Sequence, residues 1–183
     1  MLNKETFING ITIMQKMFLN WNFNSKDALM IQLWYQVFEG LSDDEFMKLI
    51  KTYCTTRIHA PGSPNEMLQI LAEEEEKKWP DPNKAFEAVR SLIRGYGWEY
   101  GSGDIYRAIK DNPALTKTVK EMESELRELR SDDNYLPERF RKAYAINLKA
   151  MCMRRRDERL KVGASQKPQL ESDLGGGYLP YET

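Results

Sequence analysis

The sequence predicts an all-α protein with a compact N-terminal helical bundle, a second helical region that contains a long basic helix, and a disordered C-terminal tail. Apolar residues recur at spacings of three and four along most of the chain, which is the period of an amphipathic helix. No segment alternates apolar and polar residues as a strand does. We assign residues 1–79 to the N-terminal domain, 80–162 to the second region and 163–183 to the tail.

Four helices are predicted in the N-terminal domain. A second helix that begins near residues 24–25 is expected to end at Gly40, because glycine favours the left-handed cap conformation. Ser42 and Glu45 form a capping box for the third, and the SPNE segment at 63–66 combines a capping serine, a proline and a box-closing glutamate for the fourth. The expected buried stripes of these four helices are Phe7, Ile11, Met14, Phe18 and Trp21; Met30, Leu33, Trp34 and Val37; Phe46, Leu49, Ile50 and Tyr53; and Met67, Leu68 and Leu71.

The second region repeats a cap followed by proline, at residues 81–82 and again at 112–113. The first of these helices carries Phe86, Val89, Ile93 and Tyr96; the second carries a heptad seam of Leu115, Val119, Met122, Leu126 and Leu129. A short helical turn is expected between them, at 105–109. No helix breaker occurs over 137–161, which predicts a helix about 37 Å long at 1.5 Å per residue.

The segment RGYGWEYGSGD at 94–104 has the glycine content of a phosphate-binding loop. No lysine follows at the spacing of a phosphate loop, Tyr100 stands where a dinucleotide loop needs glycine, and a helix rather than a strand precedes it. We therefore interpret Gly95 and Gly97 as the end of one helix and Gly101 and Gly103 as the bridge to the next.

Residues for catalysis or metal binding are few. His59 is the only histidine and lies in a loop without a neighbouring carboxylate in sequence, and four consecutive helical glutamates at 73–76 point around the axis rather than toward one ion. Neither Cys54 nor Cys152 has a second cysteine or a histidine at ligand spacing. The sequence therefore predicts a protein that is not an enzyme and uses no metal or cofactor.

The N-terminus lacks the unbroken apolar run of a signal peptide, and no stretch reaches the roughly 18 apolar residues of a membrane span. The two distant cysteines suit a reducing compartment. We expect a cytoplasmic protein without membrane contact.

Charge is unevenly distributed although the net charge is only -1. The predicted helix over 137–161 is strongly basic, with aromatic residues between its charges. Such a helix suits three targets: an acidic protein surface, a nucleic acid backbone, or the acidic remainder of its own molecule. Composition does not choose among them.

The tail ends in Tyr-Leu-Pro-Tyr at 178–181, after three glycines. Flexible chains often carry short aromatic and proline anchors of this kind, which become ordered on a partner, although chain ends also collect disorder without function.

Several segments together resemble bacteriophage replicative-helicase loaders, the small proteins described as loader and inhibitor of the phage helicase. They are FINGITIMQKMFLNWNF, LWYQVFEGLSDDEF and TTRIHAPGSPNEMLQIL in the N-terminal half, and WPDPNKAFEAVRSLIRGYG and LPERFRKAYAI in the second half. The resemblance covers roughly residues 5–98 and 136–150. It implies a compact helical N-terminal domain and a more flexible C-terminal region that engages the helicase.

The resemblance also implies a function. The protein would be an adaptor that binds a hexameric DnaB-type replicative helicase in the host cytoplasm, holds it inactive and delivers it to an origin-bound initiator protein. The contact residues that the resemblance implies are Arg139, Phe140, Arg141, Lys142 and Tyr144; charge alone adds Arg154, Arg155 and Arg156. The alternative is a helical DNA-binding regulator that uses the basic helix at 137–161. A weak contact with nucleic acid is also compatible with the adaptor itself.

Overall fold

The computed structural model describes residues 1–129 and 135–165, except for the side chains at 99–101 and 162–165, and the regular secondary structure of this part of the chain is all α-helix. The all-α prediction is therefore confirmed. The helices are α1 (Lys4–Met17), α2 (Ala28–Phe38), α3 (Asp43–Thr56), α4 (Pro64–Glu76), α5 (Pro82–Tyr96), α6 (Trp98–Ile109), α7 (Pro113–Glu121), α8 (Glu123–Arg127) and α9 (Leu136–Ser165). The long basic helix extends four residues past its expected end, so 163–165 continue α9, and the rest of the predicted tail lies outside the described residues.

A first hydrophobic core lies among α1, α3, the end of α2 and the first half of α4. Its centre is aromatic: the Phe7 ring lies 5.6 Å from Phe46 and 5.5 Å from Tyr35, and Phe38 lies 5.3 Å from Phe46. Gly10 of α1 allows this approach, because a Cβ there would lie 2.5 Å from the Phe46 ring.

A second core is formed by α5, α6, α7, α8 and most of α9. In the order of the sequence, the last buried residue that the N-terminal half gives to the first core is Ile70 and the first buried residue of the second core is Ala72, so α4 contributes to both cores. Helix α9 also belongs to both cores, since Phe140 lies in the second and Leu160 packs against the first.

Local capping signals decide where most of these helices begin. The Ser42–Glu45 capping box is present, and Asp81 and Asn112 accept hydrogen bonds from backbone N–H groups of α5 and α7. The expected box at 63–66 is wrong: Ser63 makes no side-chain cap, and the Glu66 carboxylate accepts from the Gly62 N–H at 3.0 Å.

Several expected helix bounds are also wrong. Helix α1 ends at Met17, before Phe18 and Trp21, and α2 begins after an Asp27 cap. The helix that was expected to carry the heptad seam is interrupted at Met122, which separates α7 from α8, although all five seam residues lie in or against the second core. Helix α6 is a full 12 residues and includes the two glycines that were expected to bridge.

At two positions the structure requires glycine rather than a residue with a side chain. Gly97 has φ of 69°, which side-chain-bearing residues rarely adopt, and it ends α5 as expected. Gly40 does not have a positive φ. It is needed because a Cβ there would lie 3.0 Å from the Leu160 Cα and closer still to the Leu160 carbonyl oxygen.

Candidate partner-binding surfaces

The aromatic residues expected to contact a partner are in the second core. Phe140 and Tyr144 are each 0% exposed. The Phe140 ring lies 5.4 Å from Phe86, and the Tyr144 hydroxyl donates to the Pro80 carbonyl at 3.1 Å and accepts from Asn112 at 3.2 Å. In this structure both side chains therefore pack inside the chain and present no surface to a partner. A stripe of apolar residues at helical spacing faces the core, and here the core is the chain's own.

The basic residues of the predicted site are mostly engaged within the chain. Five of the six form ion pairs in the described part of the chain, and the sixth, Arg141, lies with its guanidinium 5.7 Å from the Phe86 ring centre. The five pairs are Arg139–Glu125, Lys142–Glu138, Arg154–Glu158, Arg155–Glu75 and Arg156–Asp157. Three targets were expected for this basic helix, and the structure shows it bound to one of them, the acidic side chains of its own molecule.

The last part of α9 is held on α3 and α4 by charged contacts. Arg155 pairs with Glu75 at 3.1 Å and covers the Trp79 ring at 4.9 Å, and Arg159 pairs with Glu45. These contacts cross from the second core to the first. They form a polar clasp, which we define as Glu45, Glu75, Arg155 and Arg159.

Neighbouring groups lower the pKa of both carboxylates in the polar clasp. Partial burial raises the pKa of Glu45, but the Ser42 backbone N–H and the Arg159 guanidinium outweigh burial and leave this pKa below its ordinary value. The hydrogen bond from Lys78 has the largest effect on Glu75 and lowers its pKa; partial burial opposes this, and the hydrogen bond from Arg155 lowers the pKa further. Both carboxylates are therefore more acidic in the folded protein.

The other expected features have structural roles or none. His59 is exposed in the loop after α3. Glu73 pairs with Arg57, Glu74 with Lys48, and Glu75 with both Lys78 and Arg155. Both cysteines are free thiols, and Cys152 is fully buried. No cluster of three metal-ligating side chains is found among the described residues.

An apolar surface lies at α1 and α2, where sequence reasoning placed only core. Helix α2 consists almost entirely of apolar and aromatic residues, yet it buries only Phe38 completely. Leu29 is 65% exposed and Leu33, which was expected to face inward, is 53% exposed. These two leucines lie one turn apart on one side of the helix.

A groove of about 600 Å³ accompanies this surface, between the adjoining side of α2 and the first turns of α1. Its walls are Ile31 and Tyr35 of α2 and Phe7 and Ile8 of α1, and Ile8 is 41% exposed. We call the groove together with Leu29 and Leu33 the α1–α2 surface. The exposed Gln32 and Gln36 also line the groove and lie between its apolar walls and the two leucines, so the surface mixes apolar and polar side chains, as surfaces that bind a protein partner do.

Comparisons of the chain with protein-family models, with curated proteins and with solved structures find no match. Among the described helices, none combines the length and the apolar character needed to cross a bilayer.

Proposed function

We propose that the protein is a non-enzymatic cytoplasmic adaptor for DNA replication. It binds a hexameric DnaB-type replicative helicase, holds the helicase inactive and delivers it to an origin-bound initiator protein. The sequence segments that resemble phage helicase loaders support the identity of the partner. The α1–α2 surface supports binding to a protein.

One observation carries the proposal: an apolar helix exposes Leu29 and Leu33 beside an open groove. Exposed leucines on a folded helix contribute little to stability, whereas burying each one against a partner contributes roughly 1.5–3 kcal/mol. The geometry fits an amphipathic helix of the partner, which would place its apolar side chains along α2.

The mechanism requires only binding. A ligand that prefers one conformation of a helicase ring shifts the ring toward that conformation by the difference between its two affinities. Preference for an inactive conformation of the ring inhibits the helicase, and release to the initiator ends the inhibition. The adaptor needs no nucleotide of its own for this cycle.

The alternative of a DNA-binding regulator is less well supported. Its basic helix already directs Arg139, Arg155 and Arg159 to carboxylates on other helices. A phosphate backbone would have to compete with these carboxylates for the same guanidinium groups.

The test is Leu29→Ala with Leu33→Ala, measured by calorimetric titration into purified hexameric helicase. Both residues are exposed and alanine favours a helix, so we expect the fold to persist and affinity to fall about 100-fold, from about 1–2 kcal/mol per anchor. The matched control is Ile146→Ala, which removes an apolar side chain that is 69% exposed on α9. Wild-type protein without affinity for the helicase contradicts the function; equal affinity of the wild type and the double variant contradicts the surface.

A further inference from the structure

A second groove, which we call the α5–α7 groove, lies between α5 and the α6–α7 turn. Its volume of about 800 Å³ lies in the range of roughly 300–1,000 Å³ that ligand sites occupy. Trp79 and Pro80 form one wall and Tyr96, which is 51% exposed, stands at the end of α5. Buried residues Ile109 and Leu115 close the groove from the other side.

The floor of this groove is open because α5 presents small residues to it. Ala88, Ser91 and Gly95 recur at spacings of three and four, so they share one side of the helix. A Cβ added at Gly95 would meet no atom within 4 Å. The groove therefore has aromatic walls and room for a ring between them.

An aromatic-walled groove of this kind suits an extended segment that contains proline and aromatic residues. Proline-rich segments dock between aromatic side chains because their extended conformation is already formed and loses little entropy on binding. This chain contains one such segment outside the described residues, Tyr-Leu-Pro-Tyr at 178–181.

The position of α9 brings that segment within reach. Arg155 of α9 lies on the Trp79 ring, and the helix continues for ten residues, about 15 Å, to Ser165. The 12 residues at 166–177 span at most about 41 Å when extended, and a chain of this length has a root-mean-square span of about 19 Å. The other end of the groove, Asn112, is hydrogen-bonded to Tyr144, which lies 21 residues, about 32 Å, before Ser165, so the tether is long enough to reach the whole groove and raises the effective concentration of the segment there.

We propose that Tyr178–Tyr181 of the same chain occupies the α5–α7 groove, with its rings against Trp79 and Tyr96. The segment is an internal ligand of the second core, and it blocks the groove to outside peptides unless they bind more tightly than a tethered competitor. This site is separate from the α1–α2 surface and does not depend on the helicase assignment.

The test uses the full chain with Cys54→Ser, Leu179→Cys and Gly95→Cys, oxidised under mild conditions and followed by mass spectrometry. We expect an intrachain disulfide to form at least about tenfold faster than in a control that carries Gly103→Cys in place of Gly95→Cys. Gly103 is also a helical glycine whose added Cβ meets no atom, and it does not line the groove. The remaining native thiol, Cys152, is 0% exposed.

A second comparison separates docking from chance encounter. Adding Tyr178→Ala and Tyr181→Ala to the Gly95→Cys protein is expected to reduce its cross-linking rate to that of the Gly103→Cys control. Equal rates at positions 95 and 103, or a rate at 95 that is indifferent to the two tyrosines, overturn the proposal. A disulfide between two chains instead of within one also overturns it and assigns the groove to a second copy.

Discussion

Gly40→Ala is the sharpest probe of how the two cores are joined. The new Cβ would lie 3.0 Å from the Leu160 Cα and closer to the Leu160 carbonyl oxygen. A backbone carbonyl cannot rotate out of the way as a side chain does, so either the turn after α2 or the end of α9 must move. Overpacking of this kind costs roughly 1–3 kcal/mol.

The loss in the free energy of unfolding cannot exceed the free energy that the end of α9 contributes by packing on the rest of the chain. Leu160 is only partly buried, which corresponds to about 1 kcal/mol of apolar burial. The Arg159–Glu45 pair is 53% and 37% exposed, and a solvent-exposed pair contributes at most about 1 kcal/mol. Because release of the helix end costs about 2 kcal/mol in total, a strain larger than this is relieved by undocking. We expect a loss of about 1–2 kcal/mol in the free energy of unfolding.

Two measurements check this reasoning. Denaturant unfolding gives the loss of stability, and hydrogen exchange is expected to show faster exchange at residues 156–165 while α5 and α7 remain protected. Gly95→Ala is the matched control, because its Cβ meets nothing, and we expect it to stabilise helix α5 by roughly 0.5–1 kcal/mol. Unchanged stability and unchanged exchange in Gly40→Ala would refute the packing of α9 on the turn after α2.

Two further predictions concern the second core and the clasp. Phe140→Ala is expected to cost roughly 3–5 kcal/mol of unfolding free energy, because a fully buried ring is removed; a loss below about 1 kcal/mol in denaturant unfolding would contradict its place in the core. Acidification is expected to weaken the clasp: the folded pKa of Glu45 lies below the ordinary 4.5, so its contribution is complete above that pH and is lost as pH falls through the folded value. Glu45→Gln should reduce this acid sensitivity in unfolding experiments at pH 3 to 6, and an identical pH profile would contradict the assignment.

The sequence was sufficient where short-range chemistry decides the structure. The box of Ser42 and Glu45 and the caps at Asp81 and Asn112 depend on groups within three residues of one another, and all three are present. The failed box at 63–66 shows the limit of such patterns. Glu66 accepts from the Gly62 N–H, one residue before the expected cap, and the conformation of the loop that places Gly62 there is not part of the pattern.

Features that depend on distant residues could not be predicted in this way. The sequence predicts a helix cap at Gly40, but glycine is required there because the backbone of Leu160, 120 positions along the chain, leaves no room for a Cβ. The basic residues of α9 were counted correctly, yet the partners of Arg155 and Arg159 are 80 and 114 residues away. The exposure of Leu33 was missed because α2 is apolar on several sides, and such a helix is usually buried.

The internal pairing of α9 leads to a quantitative expectation that separates the two functions. Of the nine Lys and Arg residues at 137–161, at least six form ion pairs with carboxylates of this chain, so no more than three cations, and fewer if further pairs form, can take a phosphate without giving up a partner. A duplex-binding helix with nine available cations would show a slope near −8 for log affinity against log salt, whereas three give about −2.7. We expect any DNA binding, measured by fluorescence anisotropy between 50 and 200 mM salt, to be weak and to follow the shallow slope. A slope steeper than about −6 would mean that α9 exchanges its carboxylate partners for phosphates, and would favour the DNA-binding regulator over the helicase adaptor.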